Sequence, residues 1–250
     1  MPVVAAVGTT HPFASTGLLL ELIALREMGV RPVAVIAGVS AQDAAHVYAR
    51  AAVDPATIAQ QFEALATAGL DACSVGALLD GPSVAAVAAG VRALGVPVVC
   101  DPVIAASGGD RLADDATIAA LRTELFPACT LITPNLDEAG LLIGARLTTL
   151  ADVHAALAPL LALGSRAVLV TGGHLAGDPC DVFADGTRVV ELRAARIPGT
   201  LRGTGSLLGS SIAARLALGD DLDAAIRAAR DVVRERIAAG VAFAGMRVAY

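Results

Sequence analysis

Short apolar runs alternate with longer Ala- and Leu-rich stretches of helical period, and this alternation restricts the chain to few architectures. The apolar runs fall at residues 3–7, 32–36, 72–75, 96–100, 131–132 and 167–170. Helical patterns lie between them, near residues 16–28, 55–67, 82–94 and 114–125 and from Leu136 onward. A strand that reads as continuously apolar is buried on both faces, so the repeat predicts an α/β fold: a mostly parallel central sheet flanked by helices on both faces. Ligands of such sheets bind at the carboxyl ends of the strands. Beyond residue 170 the pattern changes. Residues 181–184 and 187–192 alternate around Ala184-Asp185-Gly186, which predicts a short antiparallel edge hairpin. A glycine-rich turn at residues 199–205 then leads to two amphipathic helices, residues 206–218 and 222–239. With 250 residues, 56% of them hydrophobic and 17% charged, the reading is a single domain over residues 1–250.

Charge excludes several function classes. Acidic residues outnumber basic ones 24 to 18, a net charge of −6, which argues against a nucleic-acid partner held by phosphate contacts. All 18 basic residues are arginine. Without lysine there is no Walker-type phosphate loop and no Schiff-base chemistry. No apolar run has the roughly 18 residues of a membrane span, and the opening Met-Pro-Val-Val lacks the basic region of a secretory signal, so the expectation is a cytoplasmic protein with no membrane partner. Cys73, Cys100, Cys129 and Cys180 are scattered singly, as buried free thiols are, rather than spaced for zinc or a redox pair.

Four segments carry chemistry. In Arg202-Gly203-Thr204-Gly205-Ser206 a glycine-rich turn runs into an apolar helix. Glycines allow a phosphate to approach the backbone, and the unpaired amides and helix dipole stabilise its charge; the alternative is a Gly-Ser turn that only caps a helix. In Thr133-Pro134-Asn135-Leu136-Asp137-Glu138, Asn135 caps the next helix and Glu138 lies one turn on. This pair either holds hydrated magnesium or forms an ordinary capping box. Val98-Val99-Cys100-Asp101-Pro102-Val103 is a buried strand ending in a carboxylate, followed by the flexible Ser107-Gly108-Gly109-Asp110. Asp101 there binds a metal-bound water, orients a substrate hydroxyl, or simply makes a turn. Finally, Val170-Thr171-Gly172-Gly173-His174 is a strand opening into glycines, with His174 suited to a local hydrogen bond.

In this order, Asp101-Pro102-Val103, Thr133-Pro134-Asn135 with Glu138, Gly172-Gly173-His174, Arg196-Ile197 and Gly203-Thr204-Gly205 resemble the hydroxymethylpyrimidine and phosphomethylpyrimidine kinases of the ribokinase superfamily. The resemblance implies a ribokinase-like fold and ATP- and Mg2+-dependent phosphorylation of 4-amino-5-hydroxymethyl-2-methylpyrimidine or its monophosphate in thiamine biosynthesis. It also implies a homodimer. By the same resemblance Gly203, Thr204, Gly205 and Ser206 form the anion hole, and Asp101 and Glu138 organise magnesium. Asn135, Thr171, Gly173 and Arg202 fall on the ATP side, and Gly8, Glu21, Gln42, Ala77 and Val103 on the substrate side.

The chain departs from that pattern at identifiable places. Ser206 stands where the family usually has cysteine, and its high pKa makes it a poor general base. Thr171 replaces a lysine expected near the ATP phosphates, for which Arg202 is a partial substitute. The family's Gly-Ser-Asp-Pro-Ser-Gly-Gly stretch becomes Gly8-Thr9-Thr10-His11-Pro12-Phe13-Ala14, and its helical Asp and Lys become Glu21 and Ile23. These changes leave two alternatives beside the pyrimidine kinase: a kinase for a related heterocycle such as pyridoxal, and a non-catalytic pyrimidine-binding paralogue.

Overall fold

The computed structural model describes residues 1–106 and 108–250; Ser107, within the segment read as flexible, lies outside the described residues. The chain runs β1 (Val3–Thr10), α1 (Gly17–Glu27), β2 (Arg31–Gln42), β3 (Val47–Ala52), α2 (Pro55–Ala64), β4 (Ala72–Val75), α3 (Gly81–Leu94), β5 (Val98–Cys100) and α4 (Asp115–Ala120). It continues with β6 (Leu131–Ile132), α5 (Leu136–Ile143), α6 (Leu150–Leu161), β7 (Val168–Val170), β8 (Cys180–Ala184), β9 (Val189–Arg193), α7 (Thr204–Ala217), α8 (Leu222–Ala239), β10 (Val241–Phe243) and β11 (Met246–Val248).

Nine strands form one sheet in the order β3-β2-β1-β4-β5-β6-β7-β8-β9. The six from β2 to β7 are parallel, while β3 at one edge and β8 and β9 at the other run antiparallel. The period of two along β1 divides the core. Ala5 and Val7 face a cluster with Ile58, Phe62, Val87 and Leu142 from α2, α3 and α5, whereas Val4 and Ala6 face Leu25, Ile212 and Ala225 from α1, α7 and α8. With few aromatic residues to fill space, close approach matters: the Phe62 ring lies 2.3 Å from where a side chain on Gly90 would start, so only glycine admits α2 against α3.

The expected α/β architecture and the hairpin of β8 and β9 are present, and the four cysteines are buried and free. Asp185 fixes that hairpin's turn by accepting from the amides of Thr187 and Arg188. Four features differ from the sequence reading. The second strand extends to Gln42 and folds back as β3, which is almost wholly exposed and so carries no apolar signal. A separate helix, α6, follows α5, opened by a capping box between Thr149 and Asp152. The helix α7 starts at Thr204, two residues before the expected Ser206. A C-terminal hairpin of β10 and β11 turns through Ala244 and Gly245, both at positive φ. No helix among the described residues is long and apolar enough to cross a membrane.

Candidate active site

The glycine turn meets the carboxyl ends of the parallel strands at the start of α7. Gly203 adopts φ +81°, and a side chain there would strike Leu20 Cδ2 and the Ser15 carbonyl, both at 2.4 Å. Glycine is thus required for conformation and for space. The first intrahelical bond runs from the Leu207 amide to the Gly203 carbonyl, which leaves the amides of Thr204, Gly205 and Ser206 without a partner inside the helix. These donors and the helix dipole make a site for an anion.

The Ser206 hydroxyl points elsewhere. Its Oγ accepts from the Gly17 amide at 3.1 Å and lies 3.5 Å from Thr16 Oγ1. It thereby caps α1, whose own N-cap residue Thr16 makes no side-chain cap.

Asp101, at the end of β5, lies against the same turn: its Oδ2 is 2.6 Å from where a side chain on Gly205 would begin. Burial pushes its carboxyl up to about 7. Across from it, Asn135 and Glu138 form a reciprocal capping box at the start of α5, with Asn135 Oδ1 accepting from the Glu138 amide and Glu138 Oε2 accepting from the Asn135 amide, both at 2.9 Å. The capping box and a metal role are compatible, because only one Glu138 oxygen is engaged there. Burial, and then the nearby charge of Asp101, push Glu138 up to about 8. A third carboxyl, Glu21 of α1, is 1% exposed and accepts from Ser74 Oγ at 3.0 Å. Burial pushes it up to about 8, opposed by the Ser74 bond and helped by Asp101.

Two buried carboxylates beside an anion hole repel an incoming phosphate unless a cation neutralises them. Asp101, held up to about 7 by burial, and Glu138, held up to about 8 by burial and then by the charge of Asp101, are oxygen donors of the kind that suits magnesium. No group of three or more His, Cys, Asp or Glu among the described residues is arranged to enclose a metal. The fit is therefore to an ion that keeps most of its water.

The residues expected on the substrate side gather at β1, β2 and β4. Gly8 packs against Gly76 and Ala77, at 3.6 Å from where its side chain would begin, and the Ala77 carbonyl accepts from Thr9 Oγ1 at 2.9 Å. Ala77, Leu79 and Leu112 form a small apolar cluster that Val103 and, from β3, Val47 complete. Gln42 closes β2 with its Oε1 buried and without a hydrogen-bond partner among the described residues. The rebuilt loop after β1 is held by His11: its Nδ1 accepts from the Phe13 amide at 3.2 Å, so Nε2 carries the proton and donates to the Thr16 carbonyl at 2.9 Å. Burial holds this imidazole below its ordinary pKa, and so neutral.

The residues expected on the nucleotide side gather at β6 and β7, with one exception. Thr171 pairs with Asn135 in a short parallel bridge and donates its amide to the Pro134 carbonyl at 2.9 Å. Gly172 has no room for a side chain, because the Cys180 carbonyl lies 2.0 Å from where one would start, while Gly173 faces open space. Arg196 holds this loop by donating to the carbonyls of Gly173, Leu175 and Gly177 at 3.0, 2.6 and 2.7 Å. His174 is exposed, 4.0 Å from Asp137 Oδ2. Arg202 is the exception. Its Nη1 donates to the Ala44 carbonyl at 2.5 Å, so its guanidinium reaches toward the turn between β2 and β3 rather than toward Thr171.

Sequence reasoning missed Ser74, the polar partner of Glu21, and the turn residues Asp43 and Tyr48. Asp43 accepts from the amides of Ala45 and His46 and from the Tyr48 hydroxyl. The Asp-Ala-Ala-His spacing was a legible turn signal.

A mostly parallel sheet with antiparallel edges, and a glycine turn opening a helix beside a strand-end aspartate, define a ribokinase-like small-molecule kinase. The sequence model of the phosphomethylpyrimidine kinase family matches residues 12–248, and the chain belongs to that family. It is 33% identical over 246 residues to the hydroxymethylpyrimidine/phosphomethylpyrimidine kinase of Streptomyces coelicolor, covering 98% of this chain and 91% of that protein. The enzyme of that name from Mycobacterium tuberculosis is 36% identical over 224 residues, covering 87% of this chain and 82% of its own. Among solved structures, an ADP complex of Bacillus subtilis pyridoxal kinase superposes with a TM-score of 0.88 at 27% identity, covering 97% of this chain and 94% of that one.

Proposed function

We propose that this chain transfers the γ-phosphate of ATP to the hydroxymethyl group of 4-amino-5-hydroxymethyl-2-methylpyrimidine and to the resulting monophosphate, as a kinase of thiamine biosynthesis. The observation that carries this reading is the glycine turn whose Thr204, Gly205 and Ser206 amides have no partner inside the helix, lying against Asp101. The names of the relatives at 33% and 36% identity favour the pyrimidine over pyridoxal as acceptor.

Phosphoryl transfer needs positioning and charge neutralisation more than covalent chemistry from the protein. The amides of Thr204, Gly205 and Ser206 take up charge on the transferring group. Asp101 and Glu138 would hold hydrated magnesium, whose charge screens the phosphates when bound. Asn135, Thr171 and Gly173 line the nucleotide side, and the Arg196 bonds keep the Gly173 loop in shape. Gly8, Gln42, Ala77 and Val103 line the acceptor side, with Glu21 beneath them supporting the end of β4 through Ser74. Ser206 contributes its amide, since its hydroxyl is engaged with Gly17.

A homodimer, a cytoplasmic location and a single domain over residues 1–250 belong to the same proposal; light scattering tests the first. The function is tested by ADP release from ATP and magnesium with each pyrimidine, beside pyridoxal. Turnover on the pyrimidines supports the reading. Turnover on pyridoxal alone, or tight pyrimidine binding with no transfer, overturns it.

A further inference from the structure

The glycine loop on the nucleotide side is anchored at its root by Asp181. The β7–β8 ladder ends at the pair Val170 and Val182, and the next two amides of the chain take other acceptors. Thr171 donates to the Pro134 carbonyl at 2.9 Å, and Gly172 donates to Asp181 Oδ1 at 2.8 Å. The second carboxylate oxygen, Oδ2, accepts from Arg230 Nε of α8 at 2.7 Å. Arg230 also donates from Nη2 to the Leu192 carbonyl of β9 at 2.5 Å. The two side chains are 14% and 15% exposed, so solvent and salt screen their attraction little.

This pair differs from a local surface contact. Ion pairs such as Arg227 with Asp223 and Arg188 with Asp185 join near neighbours on the surface and contribute little. Asp181 and Arg230 are 49 residues apart, and their bond joins a helix to a loop root. That loop carries Gly172, Gly173 and Gly177, so its own backbone supplies little stiffness. Arg196 holds it from the carbonyl side, whereas Asp181 holds it from the amide side.

The tether also reaches the anion hole. Ala225, Ile226 and Ala229 of α8 share a buried cluster with Ile212 and Ala213 of α7, the helix that opens with the amides of Thr204, Gly205 and Ser206. Contacts therefore run without a break from Gly172 through Asp181, Arg230 and α8 to α7. Together they fix where the nucleotide loop stands relative to those amides. Transfer demands that spacing, because a nucleotide held at the loop must present its γ-phosphorus at the amide site.

Resting on the kinase reading above, we propose that Asp181 and Arg230 are positioning residues for the nucleotide, a buried pair that holds the Gly172–Gly173 loop in register with the amide site of α7. The pair acts on ATP through the loop and leaves the acceptor side untouched.

The test measures KM for ATP, KM for the pyrimidine and kcat in the parent, Asp181→Ala, Arg230→Ala, Arg230→Lys and the double alanine variant, with melts followed by circular dichroism. KM for ATP is expected to rise about tenfold in Asp181→Ala and several-fold in Arg230→Ala, with partial recovery in Arg230→Lys, while KM for the pyrimidine stays within about twofold. The double variant should cost no more than Asp181→Ala, because the two side chains act as one unit. A lower Tm with KM for ATP unchanged, an equal rise in both KM values, or a loss confined to kcat overturns the proposal. If Asp181→Ala does not fold, Arg230→Lys decides: a raised KM for ATP supports the role, and the parent's value overturns it. If the parent phosphorylates neither pyrimidine, the kinase reading itself fails, and calorimetric titration with the non-hydrolysable analogue AMP-PCP decides the positioning role. Binding that weakens in Asp181→Ala or Arg230→Lys supports it; binding equal to the parent's, or none by the parent, overturns it.

Discussion

Replacing Gly205 with alanine separates the chemistry of the glycine turn from the stability of the helix it opens. The backbone accepts the change, since Gly205 lies in the first turn of α7 and not at positive φ. The new methyl would sit 2.6 Å from Asp101 Oδ2, whereas ordinary contact begins at 3.4 Å, so the carboxylate must retreat by about 0.8 Å. A displacement approaching 1 Å at reacting groups costs about 100-fold in rate. Stability moves much less, because alanine gains about 0.5–1 kcal/mol over glycine in a helix, and this offsets part of a crowding cost of about 1–3 kcal/mol. The net corresponds to a Tm change of a few degrees in a chain of this size. ADP release at saturating ATP, magnesium and pyrimidine should show kcat down about 100-fold, while the melt followed by circular dichroism stays close to the parent's. A kcat within about threefold of the parent's, less than 1 kcal/mol of barrier, refutes the placement of Asp101 and Gly205 at the reacting groups.

Glu21→Gln should change how stability depends on pH. A carboxyl raised from its ordinary 4.5 to about 8 contributes stability that is fully present below the lower value and lost as pH rises through the higher one. At about 1.4 kcal/mol per pH unit this is on the order of 5 kcal/mol over the whole range, so urea unfolding should show the variant gaining on the parent between pH 5.5 and pH 8.5; parallel pH profiles would sink the idea. Ser206→Ala removes the acceptor for the Gly17 amide and should lower stability by about 1 kcal/mol, a Tm loss of roughly 2–4 °C. An unchanged melt would mean that α1 needs no cap from α7. Arg196→Ala frees the carbonyls of Gly173, Leu175 and Gly177 and should raise KM for ATP several-fold more than it lowers kcat; the reverse split would place Arg196 in the chemistry instead.

The sheet was largely legible in the sequence because its inner strands are buried on both faces, and a run such as Ala72–Val75 has few other ways to fold. The elements that escaped lack that signal. In β3, Tyr48, Arg50 and Ala51 are exposed, and its stability comes from pairing with β2 rather than from burial. The hairpin of β10 and β11 turns through Ala244-Gly245 instead of an Asn-Gly pair, and it earns its place by accepting the Arg202 amide at the Arg247 carbonyl. The candidate site divides in the same way. Asn135 and Glu138 are close in sequence, and their capping box was foreseeable from spacing alone. Ser206 and Gly17 are 189 residues apart, and no local rule pairs them.

By itself, then, the sequence determined the order of the inner strands and their covering helices, the strand ends beside Asp101, Asn135 and Thr171, and the turn at Gly203, since burial and glycine geometry act through local pattern. It also determined that phosphate must be met by amides and arginine, since the chain holds no lysine. Tertiary structure decided where the polar groups point. It set the Asp101 carboxylate against Gly205, raised Glu21 and Glu138 by burying them, turned the Ser206 hydroxyl to α1, and sent Arg202 to the turn after β2. A side chain's direction and charge state depend on which distant groups surround it, and only the folded chain brings those groups together.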